Sequence, residues 1–207
     1  YSAGMLLARK YNLLIVTSSL WIGGAEMMIR SLCHQLSHDL FNVSVCHLKE
    51  RGEIGDELHN DGYDIVGIPR STFFKTDYFT FFNLIKVIRE KKIDIVHSHT
   101  PHALTDSVLS RLFLPKVKLV HTFHFGNYPH DKRSRMALEC IFSRMADKLV
   151  AVGESQERSI RRAYNLPENR IVKIWNGVPR TIPAVDRDIR ERINARGGIV
   201  IGTIGTL

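Results

Sequence analysis

Three cysteines in 207 residues are too few and too scattered to staple a fold. Cys33, Cys46 and Cys140 lie in apolar surroundings and no Cys-x-x-Cys occurs, so reduced, buried thiols in a cytoplasmic protein are expected. No apolar run approaches the ~20 residues of a membrane-spanning helix. The N-terminal stretch YSAGMLLARK is too short for an export signal. The dinucleotide fingerprint G-x-G-x-x-G and the P-loop G-x-x-x-x-G-K-[ST] are both missing. Internal repeats and low-complexity tracts are absent too. Basic residues cluster at Lys91-Lys92, Lys132-Arg133-Arg135 and Arg158-Arg161-Arg162, but none interleaves with aromatics as a nucleic-acid platform does. These clusters read as solvated faces, or as a surface drawn to anionic lipid.

What remains is an ordinary globular composition, 44% hydrophobic and 24% charged, with a net charge of +8 that favours anionic partners. Short apolar runs alternate with longer helical patterns. Strands are expected at Asn12–Ser18, Asn42–Leu48, Asp64–Ile68, Ile93–His97, Val117–Thr122, Lys148–Val152 and Arg170–Trp175. Runs such as LLIV and KLVAV are continuous, as in strands covered on both faces. Helices are expected at 25–37, 53–60, 77–91, 102–113, 132–145 and 154–164, the third capped by Asp77. In the third, Tyr78, Phe81, Phe82, Ile85 and Ile88 should share the inner face; in the fifth, Met136, Ala137, Cys140, Ile141 and Met145. The predicted fold class is α/β, a doubly wound, mostly parallel Rossmann-like sheet flanked by helices. Residues 1–178 should form that domain and 179–197, with Pro179 and Pro183, a linker. Residues 198–207 should open a second domain, with Gly198–Ile204 either disordered or borrowing a sheet edge in this chain or a neighbour.

Ligands in such sheets sit beyond the carboxyl ends of the strands. There the sequence places Ser18, Ser19 and Gly23-Gly24, then His97-Ser98-His99-Thr100-Pro101-His102, then His121 to Asn127, then Gly153-Glu154-Ser155, then Asn176-Gly177. Five of the ten histidines fall in two of these segments. Gly23 and Gly24 lead from a strand into a helix N-terminus, where backbone N–H groups and the helix dipole favour an anion. The His97–His102 run approaches the H-x-H-x-D-H pattern of binuclear metal sites, but Pro101 stands in place of the carboxylate, so no metal is expected. His97 and His102 read more simply as a strand-end residue and a solvent-facing one. Asp186 and Asp188 read as helix caps without a catalytic role.

An ordered set of motifs carries a resemblance: G-G-A-E at Gly23–Glu26, D-I-V-H-S-H at Asp94–His99, V-H-T-F-H at Val120–His124, A-D-K-L-V-A-V at Ala146–Val152 and N-G-V at Asn176–Val178. Together they resemble the N-terminal domain of family 4 retaining glycosyltransferases, with two facing Rossmann-like domains in the GT-B architecture. The resemblance implies transfer of a sugar from a nucleotide-sugar donor to a glycan or lipid-linked acceptor, with retention and without metal or other cofactor. His124 matches a catalytic histidine near the transferred sugar. Gly23 and Gly24 would approach the donor diphosphate or the acceptor. His99 and Asn127 would line the acceptor side, and Asn176 and Gly177 the interdomain cleft. Gly153, Pro179 and Thr206 depart from the serine, aspartate and arginine usual in the family. The resemblance further implies a cytoplasmic enzyme, in peripheral contact with an anionic membrane face where the acceptor is a lipid, and little turnover by these 207 residues alone. A non-catalytic nucleotide- or glycan-binding module and a sugar-nucleotide 2-epimerase share the architecture.

Overall fold

The computed structural model describes residues 9–68, 80–124 and 133–177. Asp77, Tyr78, Asn127, the 179–197 linker with Asp186 and Asp188, and the strand expected at 198–204 lie outside them.

Seven parallel strands form one sheet: β1 (Tyr11–Ser19), β2 (Phe41–Glu50), β3 (Asp64–Gly67), β4 (Ile95–Ser98), β5 (Lys118–Phe123), β6 (Lys148–Ala151) and β7 (Ile171–Lys173). Their spatial order is β3-β2-β1-β4-β5-β6-β7. Between them run α1 (Gly24–Gln35), α2 (Gly52–Asn60), α3 (Thr80–Glu90), α4 (Pro101–Phe113), α5 (Arg133–Met145) and α6 (Glu154–Tyr164). The chain winds outward to β3, then returns past β1 to β4 and winds the other way. Right-handed crossovers in opposite directions put helices on opposite faces. Alternation along β1 shows the result. Leu13 and Ile15 pack with Ile29 and Cys33 of α1 and Ile54 and Leu58 of α2. Leu14 and Val16 pack with Leu84, Leu104 and Ile160 of α3, α4 and α6. Ile15 and Leu14 are fully buried, each contributing about 1.5–3 kcal/mol through removal of its side chain from water.

The seven strands and six helices expected before residue 178 are present, with informative shifts. β4 starts at Ile95 because α3 ends in a tight reversal: Lys92 takes φ 50° and the Ile93 N–H donates to the Ile88 carbonyl. In α3, Leu84, Ile85 and Ile88 face inward, whereas Phe82 is half exposed and lies against Phe81. In α5 the inner face carries Glu139 and Ser143, and Ile141 is turned outward. Of the expected stripe, Met136, Cys140 and Met145 pack against the core, but two polar side chains share the buried row and Ala137 and Ile141 turn outward. Cys33 and Cys46 are buried free thiols whose pKa burial pushes up to about 12, so both are inert filler near neutral pH.

The loop after β1 is held from behind. Leu20 donates its N–H to the Glu50 carbonyl and accepts from the Ile54 N–H. Gly52 permits this contact: its φ is +59°, and a Cβ there would stand 2.5 Å from the Leu20 backbone. Gly52→Ala should therefore lower the stability of the domain by about 1–3 kcal/mol in urea unfolding. Gly62→Ala should cost less, because Gly62 shares a positive φ but a Cβ there meets nothing within 4 Å.

Candidate functional site

The order of the sheet reverses between β1 and β4, and a cleft of about 510 Å³ opens above that point. It is lined by Ser18 and Ser19 from β1, Glu26 from α1, Thr100, His102 and Thr105 around α4, and Leu138 and Glu139 from α5. Thr100 explains how α4 is set there. Its hydroxyl caps the helix by accepting from the Ala103 N–H at 3.3 Å, Pro101 follows at the first helical position, and the Ser18 hydroxyl meets it at 2.8 Å. A register shift between Thr17 and Ser19 re-aims the end of β1 toward the same place.

The histidines follow from the β4–β5 register. His97 pairs with Val120 and Ser98 with His121. Side chains alternate across the sheet. Ser98 and His121 share one face, with the Ser98 hydroxyl 2.9 Å from His121 Nδ1. On the other face two diagonal pairs form. His97 Nε2 lies 2.8 Å from the Thr122 hydroxyl, and His99 Nδ1 lies 2.8 Å from His124 Nε2. The His97 and His99 rings are 4.1 Å apart, and the His99 and His124 rings stack at 5.1 Å. Among the described residues, His99 Nε2 is buried without a hydrogen-bond partner.

Burial makes all four rings poor bases. Desolvation, with the neighbouring His124 second, lowers His97 to about 4. Desolvation, then His97 and His124, lowers His121 to about 3. Desolvation lowers His124 to about 4 and holds His99 well below the usual range. The rim is thus a neutral, hydrogen-bonded imidazole cluster near pH 7. Among the described residues no three His, Cys, Asp or Glu side chains come together in a way that could hold a metal ion.

The structure brings His99 and His124 into contact. Gly23 caps α1 with φ −163°, and Gly24 is its first residue. Neither has the positive φ that would demand glycine. A Cβ on Gly24 would meet nothing within 4 Å, so its α-carbon borders open space. A Cβ on Gly23 would stand 2.4 Å from Glu26 Oε2, because that carboxylate folds back over the turn. An anion approaching the start of α1 would have to displace it. Asn176 and Gly177 are exposed beyond β7. His102 is exposed at the cleft. Glu26, Thr105, Leu138 and Glu139 are the cleft residues that strand-end reasoning left unassigned. Glu26 was legible within G-G-A-E, whereas Glu139 sits in a helix whose apolar pattern pointed elsewhere.

Among the described residues, three members of the basic clusters are paired within the chain. Lys91 pairs with Asp64 at 2.5 Å, Arg161 with Glu168 at 3.0 Å and Arg158 with Glu154 at 3.4 Å. Among the described residues no helix is long and apolar enough to cross a membrane.

The sequence model of Glycosyltransferase Family 4 matches residues 22–181, most of the chain. The chain belongs to this family. A relative from Escherichia coli, UDP-Gal:alpha-D-GlcNAc-diphosphoundecaprenol alpha-1,3-galactosyltransferase, is 27% identical over 188 residues, covering 83% of this chain and 47% of the relative. The structure of Anabaena Alr3699/HepE in complex with UDP superposes with a TM-score of 0.71 at 16% identity, over 88% of this chain and 50% of that one. A UDP-N-acetylglucosamine 2-epimerase superposes less well, at 0.59 and 16% identity, over 79% of this chain and 47% of that one. The chain thus spans about half the length of these relatives, and both superpositions identify the sheet and its helices as a GT-B Rossmann-like domain.

The buried imidazoles make a titration prediction. Their folded-state values lie below the ordinary histidine value of about 6.5, so between the two the unfolded chain binds more protons. Stability should be complete above about pH 6.5 and fall as the pH drops toward about 3, each ring adding a slope of up to about 1.4 kcal/mol per pH unit. Urea midpoints measured from pH 7.5 to pH 4 should track this, and His121→Phe should flatten the slope by about one proton. A midpoint constant over that range would contradict it.

Proposed function

We propose that the protein transfers a sugar from a nucleotide-sugar donor to an acceptor hydroxyl, with retention, and that these residues form its acceptor-side half. The observation that carries this reading is the lining of the cleft at the β1–β4 reversal. Four hydroxyl side chains, two carboxylates, His102 and two apolar side chains, Pro101 and Leu138, surround it, with no lysine or arginine among the described residues. Hydroxyls and carboxylates bind the hydroxyl groups of a sugar well and a diphosphate poorly. The acceptor's terminal sugar is therefore assigned to this cleft, whether it belongs to a glycan or to a lipid-linked glycan. The E. coli relative's name specifies a diphospholipid-linked GlcNAc, which supports the lipid-linked form. A cytoplasmic enzyme in peripheral contact with an anionic membrane face fits such an acceptor.

His124 is the catalytic residue of this proposal, oriented toward the transferred sugar, with His99 and Asn127 on the acceptor side. Gly24 offers open backbone to the acceptor or the donor diphosphate, and Asn176 and Gly177 stand at the interdomain cleft. The reaction needs no metal, because N–H donors and cations on the facing domain can stabilise the departing nucleotide. Residues 1–207 alone should accordingly show little or no transfer.

Gly24→Val tests the site. A Cβ at Gly24 touches nothing among the described residues, so folding should persist while transfer by the full-length enzyme falls on the order of 10²-fold. Unchanged transfer to an added glycan acceptor would remove the turn from the site. Epimerisation of the nucleotide sugar without transfer would favour the 2-epimerase reading, and binding without turnover a non-catalytic module.

A further inference from the structure

His99 and His124 hold each other through one hydrogen bond at 2.8 Å, between His99 Nδ1 and His124 Nε2. Two neutral rings joined in this way have only two proton arrangements. In one, His124 Nε2–H donates to His99 Nδ1. His99 then carries its own proton on Nε2, a buried atom without an acceptor among the described residues. In the other, His99 Nδ1–H donates to His124 Nε2. His99 Nε2 is then a bare ring nitrogen, and the proton of His124 is forced onto Nδ1. Orphaned buried donors are the rarer defect in folded proteins. Burial lowers the pKa of both rings well below neutrality, which leaves each with a single proton near pH 7.

We infer that His99 is a positioning residue that locks His124 in its Nδ1–H tautomer, so that His124 meets substrate as a hydrogen-bond donor and not as a base. The His97 ring supports this by packing against His99, with centroids 4.1 Å apart and the planes tilted by 42°, which restrains the His99 ring. The Thr122 hydroxyl in turn fixes His97 at 2.8 Å. A chain of Thr122, His97, His99 and His124 thus runs from the interior of β5 to the rim. A neutral N–H at its end suits an oxygen that must be oriented or must gain negative charge, without placing a full positive charge in the site. That use of the N–H rests on the reading of His124 as the group nearest the transferred sugar. The tautomer itself does not.

The test uses full-length protein with ¹⁵N-labelled histidine rings. Long-range ¹H–¹⁵N correlation at pH 7.5 reports which nitrogen carries the proton, with His124→Gln and His99→Asn used for assignment. His124 should show a protonated Nδ1 and a bare Nε2. His99→Leu should release it toward the Nε2–H form, whereas His99→Asn, whose amide can donate from the place of Nδ1, should retain Nδ1–H. An Nε2–H tautomer in the unsubstituted protein, or an unchanged tautomer in His99→Leu, overturns the inference. In the same variants kcat for transfer should fall on the order of 10²-fold for His99→Leu and recover in His99→Asn, with little change in donor KM. Loss of the tautomer without loss of turnover would sink the catalytic reading of His124 and leave the pairing intact.

Discussion

Everything at the rim depends on the reversal of winding between β1 and β4. A parallel sheet cannot return on itself without placing successive helices on opposite faces, and where the direction changes the loops part. Here that parting lies between Ser18 and Thr100, which are joined by a 2.8 Å hydrogen bond across its floor. The bond matters beyond its own small energy. It ties the end of β1 to the cap of α4, so the two halves of the sheet present their loops at a fixed separation. Gly52 secures the same loop from the far side through Leu20.

The histidine cluster shows how register becomes chemistry. Pairing His97 with Val120 decides that Thr122 and His124 are diagonal neighbours of His97 and His99, within reach of side chains that share a face. A slip of one residue would send His99 and His124 to opposite faces and dissolve the pair. Burial of the surrounding strands then keeps the rings uncharged. Position comes from backbone pairing and protonation from desolvation, and both follow from the sheet being covered.

Most of this fold was legible in advance, because continuous apolar runs and helical stripes of this length leave few topologies. The strand-end rule also located Ser18, Ser19, Thr100 and the histidines. What the residues could not disclose was pairing across distance. Nothing local indicates that His99 faces His124 and not solvent, since that depends on the β4–β5 register. Glu139 was hidden for another reason: a carboxylate in the inner row of α5 contradicts the stripe from which that helix was read. Phe82 failed likewise, turned outward by the rotation that buries Leu84. Local rules failed beside the cleft at Glu139, where apolar packing gives way to polar lining.

The charges of the site also divide the labour of the proposed reaction. A departing nucleotide diphosphate gains negative charge, which calls for cations or a dense set of N–H donors. The described cleft offers Glu26, Glu139 and four hydroxyls, a lining whose carboxylates repel such a group at close range. Even the start of α1, whose dipole favours an anion, is shadowed by the Glu26 carboxylate folded over Gly23. A surface of this kind can orient an uncharged hydroxyl and accept or donate single hydrogen bonds to it. It is poorly suited to steadying the leaving group. Under the proposed function the two tasks therefore belong to opposite walls of the active site, with the acceptor held on this domain and the developing charge met from the other.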